Sequence, residues 1–120
     1  MSPERIVYLL SRMRQAAADS HAMIANVSKD DFLGDLVLQR AVGMSLLMAS
    51  EMASQLLKAH PEFIEEHPEF PWGAMRGMRN RIAHGYFDID LEKVWATAQD
   101  EAPQLLSALD NVLRGRTEGE

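Results

Sequence analysis

Apolar positions recur along this chain at helical rather than strand spacing, and few residues interrupt the pattern. Ile6, Leu9, Leu10, Met13, Ala17 and Ile24 follow one helix face. Ser2 can cap that helix with Pro3 in its first turn, where a missing N–H removes no hydrogen bond. Ser28-Lys29-Asp30-Asp31 resembles a capping box with Asp in place of Glu, which predicts a fresh helix start. From Asp35 to Ala59 apolar side chains point in nearly every direction: Leu36, Val37, Leu38, Val42, Met44, Leu46, Leu47, Met48, Met52, Leu56 and Leu57. A helix of this kind lies at the centre of a domain or in a subunit interface. At about 100° per residue, Arg40 and Glu51 share the stripe of Leu36, Met44 and Leu47, so both are expected to be buried and in need of partners.

Downstream, His60-Pro61-Glu62-Phe63 is echoed by His67-Pro68-Glu69-Phe70. One echo is not a repeat architecture, and Pro61 ends the long helix or opens a short one. His60 and His67 precede Pro and are expected to cap helix ends. Pro71-Trp72 opens a third major helix running to about His84, with Gly85 at its C-cap. Asp88 or Asp90 can cap a fourth, carrying Leu91, Val94, Trp95 and Ala98 on one face. Pro103 marks a kink or restart, and Leu105, Leu106, Leu109, Val112 and Leu113 complete the packing. No strand pattern of useful length appears. The expected fold is all-α, an up-and-down bundle of four or five helices, with residues 1–114 as one domain and 115–120 as a polar, frayed tail.

Composition narrows the setting. A length of 120 residues, 47% of them apolar, suits a single packed core. The absence of Cys excludes disulfides and thiolate metal sites and suits a reducing interior. Met1 to Arg5 lacks the apolar stretch of a signal peptide. The richest apolar run, Val42 to Ala53, is broken by Ser45, Ser50 and Glu51 and is too short to span a bilayer. A cytoplasmic protein without membrane contact is expected. The formal net charge of −6 means that the overall field repels phosphate backbones. A nucleic-acid site must therefore come from a local cluster, and Arg76, Arg79 and Arg81 form the one candidate.

On the wheel of the third helix, Trp72, Met75, Met78 and Ile82 make an apolar stripe, and Arg76, Asn80 and His84 follow one another four residues apart beside it. Arg79 falls on the apolar side and Arg81 points away, toward solvent. Spacing leaves two readings open. Arg76, Arg79, Asn80 and His84 form a rim able to hold a phosphate. Alternatively, Arg79 is a core Arg paired with Glu51, and His84 merely suits the negative end of a helix dipole. A metal-binding bundle is a third candidate on paper, using His21, His60, His67 and His84 with Glu62, Glu65, Glu66 and Glu69. No Glu-x-x-His pair is present to build a di-iron site, so no metal or other cofactor is expected. Met44, Met48 and Met52 at helical spacing read as core or dimer filling.

The run Arg79-Asn80-Arg81-Ile82-Ala83-His84-Gly85-Tyr86 resembles the signature of the HEPN superfamily and, more closely, its HepT-like branch: an Arg, four residues, a His, one residue, a Tyr. Pro71-Trp72, Gly77-Met78, Phe87, the following Asp and Val94-Trp95 match the surroundings. Glu51 falls where relatives often carry Glu after Gly; here Ser50 replaces that Gly. The resemblance spans about Gln39 to Leu113 and is strongest from Pro71 to Trp95.

It implies a HEPN-type helical bundle and a homodimer whose motif helices meet across a two-fold axis in a composite cleft. It implies metal-independent endoribonuclease activity by a toxin, paired with a minimal nucleotidyltransferase antitoxin encoded next to it. In that reading His84 is general acid or base and Arg79 holds the scissile phosphate. Asn80 orients His84 or the phosphate, Glu51 holds Arg79, and Arg76 adds backbone contacts. Tyr86 is the acceptor for silencing adenylyl groups; packing with its hydroxyl hydrogen-bonded is the other role open to it. The rival within the superfamily is a non-catalytic accessory or substrate-binding partner of a nucleotidyltransferase.

Overall fold

In the computed structural model the described residues are 3–119, with side chains described for residues 4–115; Ser2 lies outside them. Every regular element among them is helical: α1 (Pro3–Met23), α2 (Lys29–Leu33), α3 (Leu36–Ala59), α4 (Pro61–Glu66), α5 (Trp72–Gly85), a 3-10 turn (Tyr86–Asp88), α6 (Leu91–Ala96), a π turn (Thr97–Glu101) and α7 (Ala102–Gly119). The all-α expectation therefore holds. α7 extends through most of the stretch expected as a tail, and the side chains beyond Gly115 lie outside the described residues.

Local chemistry accounts for most of the boundaries. Ser28 Oγ accepts from the Asp31 N–H at 3.1 Å and starts α2, as the capping-box reading requires. Asp35 does the same for α3 through Leu38 N–H at 3.0 Å. Asp90, rather than Asp88, caps α6, accepting from Glu92 and Lys93 N–H. Pro61 occupies the first turn of α4, so it both follows the end of α3 and opens the next helix. Gly85 is not a left-handed cap. Its φ is −162°, ordinary extended backbone, and the chain passes directly into the 3-10 turn.

The helix α3 is the hub, packing against α1, α2, α4, α5 and α6, while α7 packs along α1. Two apolar clusters result. One joins Leu9, Leu10 and Met13 of α1 to Ala53 and Leu56 of α3, Phe63 of α4 and Leu109 of α7. The other joins Ile24 and Phe32 to Val42 and Leu46 of α3, Met78 and Ile82 of α5, and Val94 and Ala98 of the α6 rod. Each fully buried large side chain contributes about 1.5–3 kcal/mol.

Burial of α3 differs from expectation on one face. Leu36, Val37, Arg40, Met44 and Met48 are exposed, and Glu51 is only half-buried. The stripe expected to bury two charges instead faces outward in the protomer, because α1 and α5 cover the flanks of α3 and leave its outer face open. Among the described residues no helix is long and apolar enough to cross a membrane.

The histidines have separate local explanations. Residue 103 is a proline. Ala102 N–H bonds to Thr97 O in the π pattern, so the next donor in that pattern, for Ala98 O, would come from a residue with no N–H. His21 supplies the missing hydrogen bond: its Nδ1 lies 2.9 Å from Ala98 O, and since a carbonyl only accepts, Nδ1 carries the proton. Pro103 thus sits within a continuous rod, beyond a widened turn rather than at a break. His67 bonds Glu69 at 2.9 Å and stacks on Phe63. His60 is at the α3–α4 junction, but its side chain caps nothing: it is wholly buried, and neither ring nitrogen has a hydrogen-bond partner among the described residues. Its 3.8 Å approach to Glu62 is too long to count as one.

Candidate active site

The start of α5 is set by aromatic packing rather than a polar cap. Trp72 Nε1 donates to His67 O at 2.9 Å, and its ring contacts Phe63 and Phe70. From there Met75, Met78 and Ile82 turn inward. Burying that stripe fixes the rotation of α5, and Arg76, Asn80 and His84 are consequently exposed.

Arg79 lies at the edge between the two faces. Its Nε donates to Glu51 Oε2 at 2.9 Å and its Nη1 to Asn80 Oδ1 at 3.2 Å. Both charged side chains are about two-thirds buried, at 31% and 39% exposure, so the pair adds on the order of 1 kcal/mol to stability at most. Its larger effect is orientation. Two contacts hold the planar fork, and its remaining N–H groups are available to an anion. Ser50, buried beside this pair, donates to Leu46 O at 2.8 Å and so satisfies its hydroxyl within α3.

His84 sits in the last turn of α5 with no hydrogen-bond partner among the described residues. Five residues separate it from Arg79, so the two side chains leave the helix about 140° apart. Arg79, Asn80 and Glu51 are in contact with one another, whereas Arg76 and His84 stand apart from them on the exposed surface. Asn80 bonds Arg79, not His84.

Tyr86 turns the other way. The 3-10 turn folds its ring back onto α3, where its hydroxyl donates to Gln39 O at 3.1 Å. The ring lies directly on Gly43: a Cβ built there would stand 3.0 Å from Tyr86 Cε2 and 3.1 Å from its hydroxyl oxygen. Burial raises the phenol above its ordinary titration range, against a smaller opposing effect of Arg40. Gln39 is itself fixed, its Nε2 donating to Phe32 and Leu33 carbonyls at 3.0 Å. Sequence reasoning missed both Gly43 and Gln39. The available signal was a glycine inside an otherwise strong helix, which costs about 1 kcal/mol and calls for a packing reason.

An exposed imidazole and a braced guanidinium thus lie on one amphipathic helix, and the phenol that follows packs back onto α3. The family model described as "Ribonuclease HepT-like" matches residues 13–112. The "Putative RNase TTE0752" of Caldanaerobacter subterraneus subsp. tengcongensis is 34% identical over 91 residues, covering 76% of this chain and 79% of that one. The "Probable ribonuclease HepT" of Thermococcus cleftensis is 27% identical over 89 residues, covering 73% and 81%. No solved structure matches the chain significantly. This chain belongs to the HepT-like ribonuclease family.

Proposed function

We propose that this protein is an endoribonuclease of the toxin type, working without a metal through Arg79 and His84. The observation that carries the reading is the Glu51–Arg79–Asn80 brace, which holds unused guanidinium donors ready on the helix that also carries the exposed His84. RNA supplies its own nucleophile in the 2′-OH. One His84 removes the proton from that hydroxyl, and the 2′-oxygen attacks the adjacent phosphorus. The bond from phosphorus to the 5′-oxygen breaks, and a second His84, as imidazolium, gives the departing oxygen its proton. The products are a 2′,3′-cyclic phosphate and a free 5′-hydroxyl. Arg79 stabilises the charge on the non-bridging oxygens, and Arg76 contacts a neighbouring phosphate.

Two histidines require two copies of the chain. The outward stripe of α3 supports a homodimer: Val37, Met44 and Met48 are 79%, 55% and 51% exposed, and Phe87, beside the motif, is 93% exposed. This apolar stripe runs on into Glu51. Pairing along it brings the two Arg79–Glu51 units close together and lets the His84 of each copy face the Arg79 of the other. In this reading the partner is a minimal nucleotidyltransferase antitoxin that silences the enzyme by adenylylating Tyr86, which requires the hydroxyl to leave Gln39 O and adds bulk and negative charge at the end of the motif helix.

The test is cleavage of single-stranded RNA by the purified protein in the presence of a chelator, with sedimentation to establish the oligomer. His84→Ala and Arg79→Ala are each expected to lower kcat by at least about a hundredfold while leaving fold and dimer intact. Full activity in either variant, or cleavage by a monomer, would overturn the assignment. A dimer that binds but never cleaves RNA would favour the accessory, non-catalytic reading.

A further inference from the structure

Glu51 has a second neighbourhood. Besides bracing Arg79, it lines a cavity of about 410 Å³ between α1 and α3, together with Arg5, Tyr8, Arg12, Met52 and Gln55. A volume of this order lies in the range of small-molecule and nucleotide sites. The Tyr8 ring is 47% exposed, with the Arg5 guanidinium carbon 5.1 Å and that of Arg12 5.4 Å from its centroid. Each guanidinium is also tethered by a hydrogen bond: Arg12 Nε donates to the Tyr8 hydroxyl and Arg5 to Gln55 Oε1, both at 3.3 Å. Among the described residues no carboxylate pairs with Arg12. The carboxylates near the groove are engaged elsewhere, Glu51 with Arg79 and Asp19 with Gln15 Nε2 at 2.9 Å.

Two fixed cations flanking a half-exposed aromatic ring, in a groove that ends at the brace of Arg79, are the elements with which proteins grip single-stranded nucleic acid. The chain carries a net charge of −6, so local features of this kind are what can retain a polyanion. The geometry points to the α1–α3 groove as a binding subsite for the single-stranded RNA that flanks the scissile phosphate, with Tyr8 against a base and Arg12 on a phosphate. This rests on the ribonuclease reading and adds a site to it. Arg5 and Gln55 position the platform. None of these residues touches the reacting atoms, so the groove acts on substrate capture.

The decisive experiment measures binding apart from cleavage. A fluorescent single-stranded RNA with every 2′-hydroxyl methylated cannot supply the nucleophile, and its affinity is read by anisotropy. Tyr8→Ala should weaken binding about five- to a hundredfold, the range of one lost base–aromatic stack. Tyr8→Phe, which keeps the ring, should recover most of that loss. Arg12→Gln should weaken binding and lower the slope of log affinity against log salt by about 0.7, one phosphate contact on a single strand. With cleavable RNA both substitutions should act on KM far more than on kcat. Wild-type cleavage combined with unchanged affinity, salt slope and KM in Tyr8→Ala and Arg12→Gln would overturn this subsite alone. Dissociation of the dimer in the same variants would also overturn it, by assigning the groove to a second copy of the chain. Binding that depends on Tyr8 without any wild-type cleavage would keep the subsite and sink the catalytic reading, and failure to bind RNA at all would sink both.

Discussion

Replacing Gly43 by Ala tests the seat of Tyr86, because two opposing effects of known size meet at one atom. Inside a long helix, Ala is favoured over Gly by about 1 kcal/mol, so on an open surface this substitution stabilises. Here the added methyl would lie 3.0 Å from Tyr86 Cε2 and 3.1 Å from its hydroxyl oxygen, several tenths of an ångström inside normal contact. Crowding of this kind costs about 1–3 kcal/mol. Relief by moving the ring breaks the hydrogen bond to Gln39 O, a further loss of about 1 kcal/mol. The sum is a net destabilisation of about 1–3 kcal/mol, read as a lower urea midpoint at fixed protein concentration with an unchanged m-value. A double-mutant cycle sharpens the test, since in a Tyr86→Ala background the clash is gone and Gly43→Ala should become stabilising by about 1 kcal/mol. Stabilisation in both backgrounds would show that the ring does not press on Gly43. A displaced Tyr86 also exposes its hydroxyl, so under the antitoxin reading Gly43→Ala should be adenylylated faster than the wild type.

Two further substitutions test features away from the site. His60→Leu removes two buried ring nitrogens that have no partner and should raise stability by about 1–3 kcal/mol; a lower melting temperature would show that the imidazole is bonded in solution. Asp110 joins α7 to α1 through Arg14, whose hydrogen bond holds its carboxyl below the ordinary range. A carboxylate with a depressed folded pKa stabilises above its unfolded value, and this contribution disappears as pH falls through the folded one. Asp110→Asn should therefore lower the melting temperature at neutral pH and leave it unchanged in strong acid, and an equal loss at both would exclude the ion pair as its origin.

Sequence periodicity carried the fold a long way because helices that pack on one another must repeat their apolar positions. Met75, Met78 and Ile82 are buried as their spacing required, and Ser28 caps as its neighbours suggested. The all-round apolar character of α3 was legible too, but not which face the protomer leaves open. That depends on where α1 and α5 dock, and one helix wheel cannot supply it. For the same reason the wheel places Arg40 and Glu51 on one stripe, although one is exposed and the other braces Arg79. The Arg79–His84–Tyr86 spacing identified the segment, whereas the inward turn of Tyr86 depends on Gly43, far away in sequence. His60, which precedes Pro61, reads as a capping residue, whereas its ring is wholly buried and makes no cap bond.

The contact between His21 and the π turn bears on how related sequences should vary. Pro103 deprives a carbonyl on the neighbouring rod of its usual donor, and an imidazole on the first helix answers for it. A relative that loses the proline regains a main-chain donor and no longer needs the imidazole. One that loses the imidazole alone retains an orphaned acceptor at a helix contact. The two positions, close to opposite ends of the chain, are therefore expected to change together across the lineage, as a register of the rod's winding rather than of catalysis.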